Sequence, residues 1–267
     1  MTTASRDVPG PVPAPGGSAA LPVRATARAF WLPKYADAEG EWADGAALSE
    51  AALRFAVADG ASAGFASRAW ALSLVLEFRD APPPLLSSQL TMASWFARIG
   101  QRHDAQVQSA ARSGWMYRAG LREGSSAAFL GIRFWPVPGG QLGWEAVAVG
   151  DTCLLHVRAA GLVAAFPLTS PDQFTTHPPL VRSQSRSLEA LARNIHVLHG
   201  HAAPGDLFLL ATDEMSRWLL RHDPADPIWG MLGRLGQGDL HALVAAELDA
   251  GRMEHDDITL ARVLIHR

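Results

Sequence analysis

The chain has 267 residues, 48% hydrophobic and 18% charged, with 23 basic and 26 acidic side chains and a net charge of −3. That length supports a sizeable core in one large domain or two small ones, and the near-even charge excludes the clustered basic excess of a nucleic-acid binder. No stretch approaches the ~18 consecutive apolar residues of a membrane span. The single cysteine, Cys153, excludes an internal disulfide framework and fits a reducing, cytoplasmic compartment.

Residues 1–22 are Pro, Gly, Ala and Ser with hardly a large apolar side chain. Such a stretch cannot offset its ordering entropy and reads as a disordered lead-in, without the apolar centre of an export signal. One domain is predicted from residue 23 to 267. Ala25–Leu32 and Leu53–Ala58 read as strands, and Ala66–Phe78 as a well-buried helix. Leu85–Ser113 is mostly helical. Ala127–Trp135, Leu142–Val149 and Cys153–Arg158 are strands parted by Pro-Gly-Gly and Gly-Asp turns, with Gly161–Phe166 as a further hairpin arm. A Pro- and Thr-rich loop follows at Thr169–Pro179, then a short strand at Ile195–His199 and a continuous apolar strand at Leu207–Thr212. Helices at Met215–Arg221 and Asp239–Ala250 precede the last strand, Ile258–Ile265. Trp31, Trp70, Trp95, Trp135, Trp144 and Trp218 fall at element positions expected to pack the core and sheets. Cys153 reads as an inert buried thiol.

One arrangement recurs: an apolar strand runs straight into an aspartate, at Asp59 (FAVAD), Asp151 (AVGD) and Asp213 (LLATD), and the pair Asp256 and Asp257 opens the last strand. Buried strands end at the edge of the core, so these carboxylates would gather there. Two unit charges ~5 Å apart repel by about 3 kcal/mol at an effective dielectric near 20. Such a cluster calls for cations, and hard oxygen ligands suit magnesium or manganese. Taken singly, each reads more readily as an ordinary turn or cap aspartate; it is the set that points to cations. No CxxC or HExxH supports a soft-metal site. A competing motif, Gly60-Ala61-Ser62-Ala63-Gly64, satisfies G-x-S-x-G with Asp213 and His266 following in hydrolase order. Against it, only one or two strands precede residue 60, and no oxyanion segment lies upstream.

In this order the strand-end aspartates resemble the metal-dependent serine/threonine protein phosphatases of type 2C, the PPM family. FAVADGAS is similar to that family's strand-Asp-Gly motif, AVGDTCLLHVR to its V-G-D-S segment, GDLFLLATDE to its A-T-D-G segment, and DDIT to its terminal D-N-x-T. Gly124-Ser125-Ser126-Ala127 resembles the small-residue segment that opens the middle strands, and EWADG, ending in Asp44 and Gly45, the acidic E-D motif. The resemblance implies a four-layer α-β-β-α sandwich, two stacked antiparallel sheets flanked by antiparallel helix pairs. It implies hydrolysis of phosphoserine and phosphothreonine in a phosphorylated protein substrate, by water activated between two Mn²⁺ or Mg²⁺ ions. Asp59 would bridge the ions and the Gly60 carbonyl would help hold one. Asp213 and Asp256 would complete the first shell, Asp44 would serve the second ion, and Asp151 would belong to a weak third site.

Departures accompany the likeness. Ala43 stands where the family has glutamate, Glu214 where it has glycine, and Arg217 where it has an aspartate of the third site. No arginine sits at the usual phosphate-binding spacing. Lys34, the only lysine in the chain, is the nearest cation and a less specific clamp. These departures motivate an alternative: a catalytically impaired phosphatase-like module that binds a phosphoprotein or a regulatory partner.

Overall fold

Alternation along the strands sets the layers. In β3 (Arg54–Gly60) Phe55 and Val57 point to one apolar layer while Ala56 and Ala58 point to another. In β10 (Leu207–Ala211) Phe208 and Leu210 alternate in the same way with Leu207, Leu209 and Ala211. A strand buried on both faces reads as a continuous apolar run, and two such sheets need three apolar layers between four layers of structure. The computed structural model describes residues 23–34, 42–61, 66–110, 124–138, 141–185 and 187–267. The expected lead-in at 1–22 lies outside them.

One sheet is ordered β1 (Arg24–Leu32), β11 (Ile258–His266), β10, β6 (Cys153–Arg158), β7 (Gly161–Phe166). The other is ordered β2 (Gly45–Ser49), β3, β4 (Ser126–Val137), β5 (Gln141–Val149), β9 (His196–Ala202), with the two-residue β8 (Val181–Arg182) also on β4. Every pairing is antiparallel. The central layer joins Phe55, Ile132 and Trp144 of one sheet to Phe208, Leu210 and Val263 of the other. Outside the second sheet lie α1 (Ser67–Asp80) and α2 (Gln89–Ala110), whose Trp70, Leu74, Phe78, Trp95 and Phe96 cover Ala56, Ala58 and Phe129. Outside the first lie α4 (Asp213–Leu219), α5 (Ile228–Leu232) and α6 (Gln237–Asp249), with Met215, Trp218, Trp229 and Leu240 over Leu207 and Leu209. The short α3 (Leu188–Arg193) sets Leu191 against the α1–α2 layer. The fold is the expected α-β-β-α sandwich.

Several boundaries differ from the sequence expectation. α2 starts at Gln89 rather than Leu85, after three consecutive prolines and Leu86 at a φ of 55°. α4 starts at Asp213 rather than Met215, since β10 already ends at Ala211 and Thr212 is an extended N-cap. Trp31 is 49% exposed rather than packed in the core, although it stacks on Trp42 with ring centroids 6.0 Å apart. Among the described residues no helix is long and apolar enough to cross a membrane.

Candidate active site

The acids come from strand ends of both sheets. Asp59 is the penultimate residue of β3, opposite Ala128 of β4. Asp44 immediately precedes β2, whose Gly45 pairs with Ala58. In the other sheet β10 delivers Asp213 as the first residue of α4, and Asp256 and Asp257 lead into β11. These two approaches are tied together: Thr212 N–H donates to the Thr259 carbonyl at 3.0 Å, and Thr259 N–H donates to Thr212 Oγ1 at 2.9 Å. Asp151 sits in the β5–β6 turn after Gly150, which takes a φ of 98° open to glycine.

The carboxyls sense one another. Burial pushes Asp59 well above the ordinary carboxylate range, and the charges of Asp44, Asp213, Asp151 and Asp256 push it further. Burial raises Asp44 to about 8, with Asp257 and Asp213 adding to the effect. Asp213 rises to about 7 through burial and then through Asp151 and Asp256, while Asp151 rises to about 6 through burial. Desolvation and like charge both disfavour ionisation, so these groups bind protons where an isolated carboxyl would not.

Asp44 is the most unusual member. It is fully buried, and neither carboxylate oxygen has a hydrogen-bond partner among the described residues. The Thr259 and Thr212 hydroxyls lie close enough to lower its pKa somewhat, but outside hydrogen-bond geometry; Thr259 Oγ1 is itself unpartnered. A buried acid with two unanswered oxygens costs several kcal/mol unless something supplies a proton or a positive charge. Gly60 is fixed by space: a Cβ there would lie 2.5 Å from the Ala43 carbonyl oxygen and 2.9 Å from that of Ser67.

Asp256 and Asp257 have separate surroundings. Asp257 Oδ1 accepts from Lys34 N–H at 2.7 Å and its Oδ2 from Ala43 N–H at 2.9 Å, so one carboxylate fastens two distant backbone segments. Asp256 Oδ1 lies 3.6 Å from Lys34 Nζ. The three departures from the family pattern are also accommodated. Ala43 supplies its backbone N–H to Asp257. Glu214, 4% exposed, turns to Arg217 and accepts from Glu254 N–H at 2.9 Å, while Arg217 also reaches Glu254 at 2.9 Å. The positive charge at position 217 is therefore balanced by two glutamates. Cys153 is buried, and burial pushes its thiol up to about 12.

Among the described residues no group of three or more His, Cys, Asp or Glu side chains is arranged as it stands to hold a metal ion. The charges of Asp44, Asp151, Asp213 and Asp256 all reach Asp59, and Lys34 lies beside Asp256. Ser62, of the competing hydrolase motif, lies outside the described residues. Sequence reasoning passed over Thr212, Thr259 and the fastening role of Asp257. The signal was there, since each threonine lies one or two residues from a strand-end acid.

The fold is that of the PPM-type serine/threonine phosphatases. PppA, described as a key regulatory component of T6SS in Pseudomonas aeruginosa, matches with a TM-score of 0.56 and 20% identity over 90% of this chain and 97% of its own. The Mycobacterium tuberculosis serine/threonine phosphatase PstP/Ppp matches with a TM-score of 0.57 and 15% identity over 91% of this chain and 100% of its own. The catalytic domain of PstP in complex with two manganese ions matches with a TM-score of 0.57 and 17% identity over 92% and 100%. No family model and no curated protein matches the sequence.

Proposed function

We propose that this protein is a Mn²⁺- or Mg²⁺-dependent phosphatase acting on phosphoserine and phosphothreonine in proteins. The observation that carries the reading is the Asp44 carboxylate, buried with both oxygens unpartnered beside Asp59 and Asp213. All-oxygen donors that repel one another match what a hard divalent cation requires. Asp59, Asp213, Asp256 and the Gly60 carbonyl would hold one ion, Asp59 and Asp44 a second, and Asp151 would contribute to a weaker third. Bound there, the ions would make a water nucleophilic near neutral pH and offset phosphoryl charge. Asp59 and Asp44, the catalytic residues of this reading, would position the ions and, through them, the attacking water. Lys34 attracts the phosphate group to the mouth of the site.

A second reading, a module that binds a phosphoprotein without turning it over, is favoured by the Lys34–Asp256 pair, where a side-chain cation already meets a would-be ligand. Calorimetric titration with Mn²⁺, followed by phosphate release from a phosphothreonine peptide on the same sample, decides between the two. Binding with turnover supports the phosphatase, turnover absent supports the module whether or not Mn²⁺ binds, and no Mn²⁺ binding ends the metal-dependent reading.

A further inference from the structure

β1 is an edge strand, paired with β11 on one side only. The odd residues of β11 are committed to the far side: Ile265 N–H donates to the Asp206 carbonyl and its carbonyl accepts from Gly205, while Thr259 bonds Thr212. The even residues of β11 and β1 therefore bond each other, and Ala25, Ala27, Ala29 and Trp31 send their N–H and C=O groups outward. Side chains answer two of these groups: Ala27 N–H donates to Glu50 Oε1 at 2.8 Å, and the Trp31 carbonyl accepts from Gln237 Nε2 at 2.7 Å. Among the described residues no strand pairs with the remainder.

Three cavities follow one another along this strand. One of 750 Å³ opens at Arg24–Thr26, one of 480 Å³ at Thr26–Arg28, and one of 580 Å³ from Ala27 to Trp31. The flanking charge is mainly basic: Arg24, Arg28, Arg262 and Arg267 line the cavities, against the single acid Glu50. Arg24 and Arg28 are exposed on one face of the strand, four residues and roughly 13 Å apart. Arg28 stands directly opposite Arg262, whose guanidinium donates to the Leu235 carbonyl rather than to a carboxylate. Like charges facing across a ladder are destabilising, and burial together with Arg28 lowers the Arg262 pKa. Basic side chains on an edge repel a like edge, which disfavours a second copy of this chain in that position. They attract a strand of opposite charge.

We propose that the open edge of β1 receives an extended acidic segment of a partner protein, added as an antiparallel strand with acidic side chains at positions i and i+4 opposite Arg24 and Arg28. Backbone bonds would supply affinity and the two arginines the selection, as in other strand-addition interfaces. The proposal does not depend on catalysis or on metal.

The test uses the full chain and a fluorescein-labelled peptide, Glu-Val-Thr-Val-Glu-Val-Thr-Val-Glu, followed by anisotropy at low salt. The peptide should bind, and its counterpart with lysine for glutamate should not. Arg28→Glu should weaken the acidic peptide at least tenfold and gain affinity for the lysine peptide. Ala29→Pro removes an outward N–H that β11 does not use and should abolish binding. Methylating alternate peptide nitrogens should do the same on the wild-type protein, whether or not that variant folds. Equal binding of both peptides, undiminished binding to Arg28→Glu, or no binding at millimolar peptide overturns the proposal. So does a dimer in sedimentation that Ala29→Pro dissolves, which would give the edge to a second copy.

Discussion

The Lys34 ammonium lies 3.6 Å from Asp256 Oδ1, while the backbone N–H of the same lysine donates to Asp257 Oδ1 at 2.7 Å. The backbone bond fixes where the side chain emerges, so removing the ammonium leaves its attachment intact. Lys34→Ala should keep the wild-type melting temperature and lower kcat/KM on a phosphothreonine peptide about tenfold, the equivalent of one charge-assisted contact. Mn²⁺ affinity should hold or rise, since a competing cation leaves Asp256. Lys34→Arg should retain most activity. Steady-state kinetics with parallel calorimetry checks this, and an unchanged kcat/KM would remove Lys34 from phosphate binding.

Metal-free protein should lose stability as pH rises. Asp44 titrates at about 8, Asp213 at about 7 and Asp151 at about 6 in the folded chain, all above the ordinary 3.8. Between about pH 4 and 8 the folded state therefore holds protons that the unfolded state has released. The contribution of these groups is complete below pH 4 and is lost as pH climbs through each folded value. In chelator the melting temperature should fall from pH 5 to pH 8, less steeply in Asp44→Asn, and Mn²⁺ should recover it at pH 8. A melting temperature that rises over this window would sink the account.

Gly60→Ala should be costly where a second glycine substitution is harmless. The new Cβ would meet two backbone carbonyl oxygens that cannot swing aside, 2.5 and 2.9 Å away. Overpacking of this kind costs about 2 kcal/mol. Gly238, the second residue of α6, has nothing within 4 Å of its Cβ position, so Gly238→Ala should be neutral or gain up to about 0.5 kcal/mol of helix propensity. Urea unfolding of both variants measures the contrast, and equal midpoints would show that the β3 terminus relaxes freely.

The layers could be read from the sequence because the central strands are buried on both faces, which makes β3 and β10 continuous apolar runs ending at a charge. Asp59, Asp151 and Asp213 follow apolar runs of this kind, and the Asp59 carboxyl feels the charge of the other two. What could not be read is short or set by distant partners. β2 is the small-residue run Gly45–Ser49, held by its ladder to β3 rather than by its own propensity, and α5 is a five-residue helix anchored by Trp229. The exposure of Trp31 follows from β1 being an edge, a property of sheet order rather than of local pattern. Asp257 looked like the neighbour of a ligand. Its grip on Lys34 and Ala43 spans more than two hundred positions of chain.

The Glu214–Arg217 pair should behave as a unit. Glu214 is buried and its charge raises Asp213, so the guanidinium of Arg217 shields the site as well as the glutamate. Arg217→Ala leaves Glu214 with the Glu254 N–H as its hydrogen-bond donor, an under-compensated buried charge expected to cost about 2 kcal/mol in urea unfolding, since Arg217 keeps some solvent contact. It should also weaken Mn²⁺ several-fold at neutral pH by holding the Asp213 proton more firmly. Glu214→Gln should do the reverse to Mn²⁺, because it removes a like charge from Asp213. The double variant should be more stable than the sum of the single losses predicts, the mark of coupled neighbours. Additive losses with Mn²⁺ affinity unmoved would mean that the pair is a surface ornament of α4 with no hold on the acid cluster.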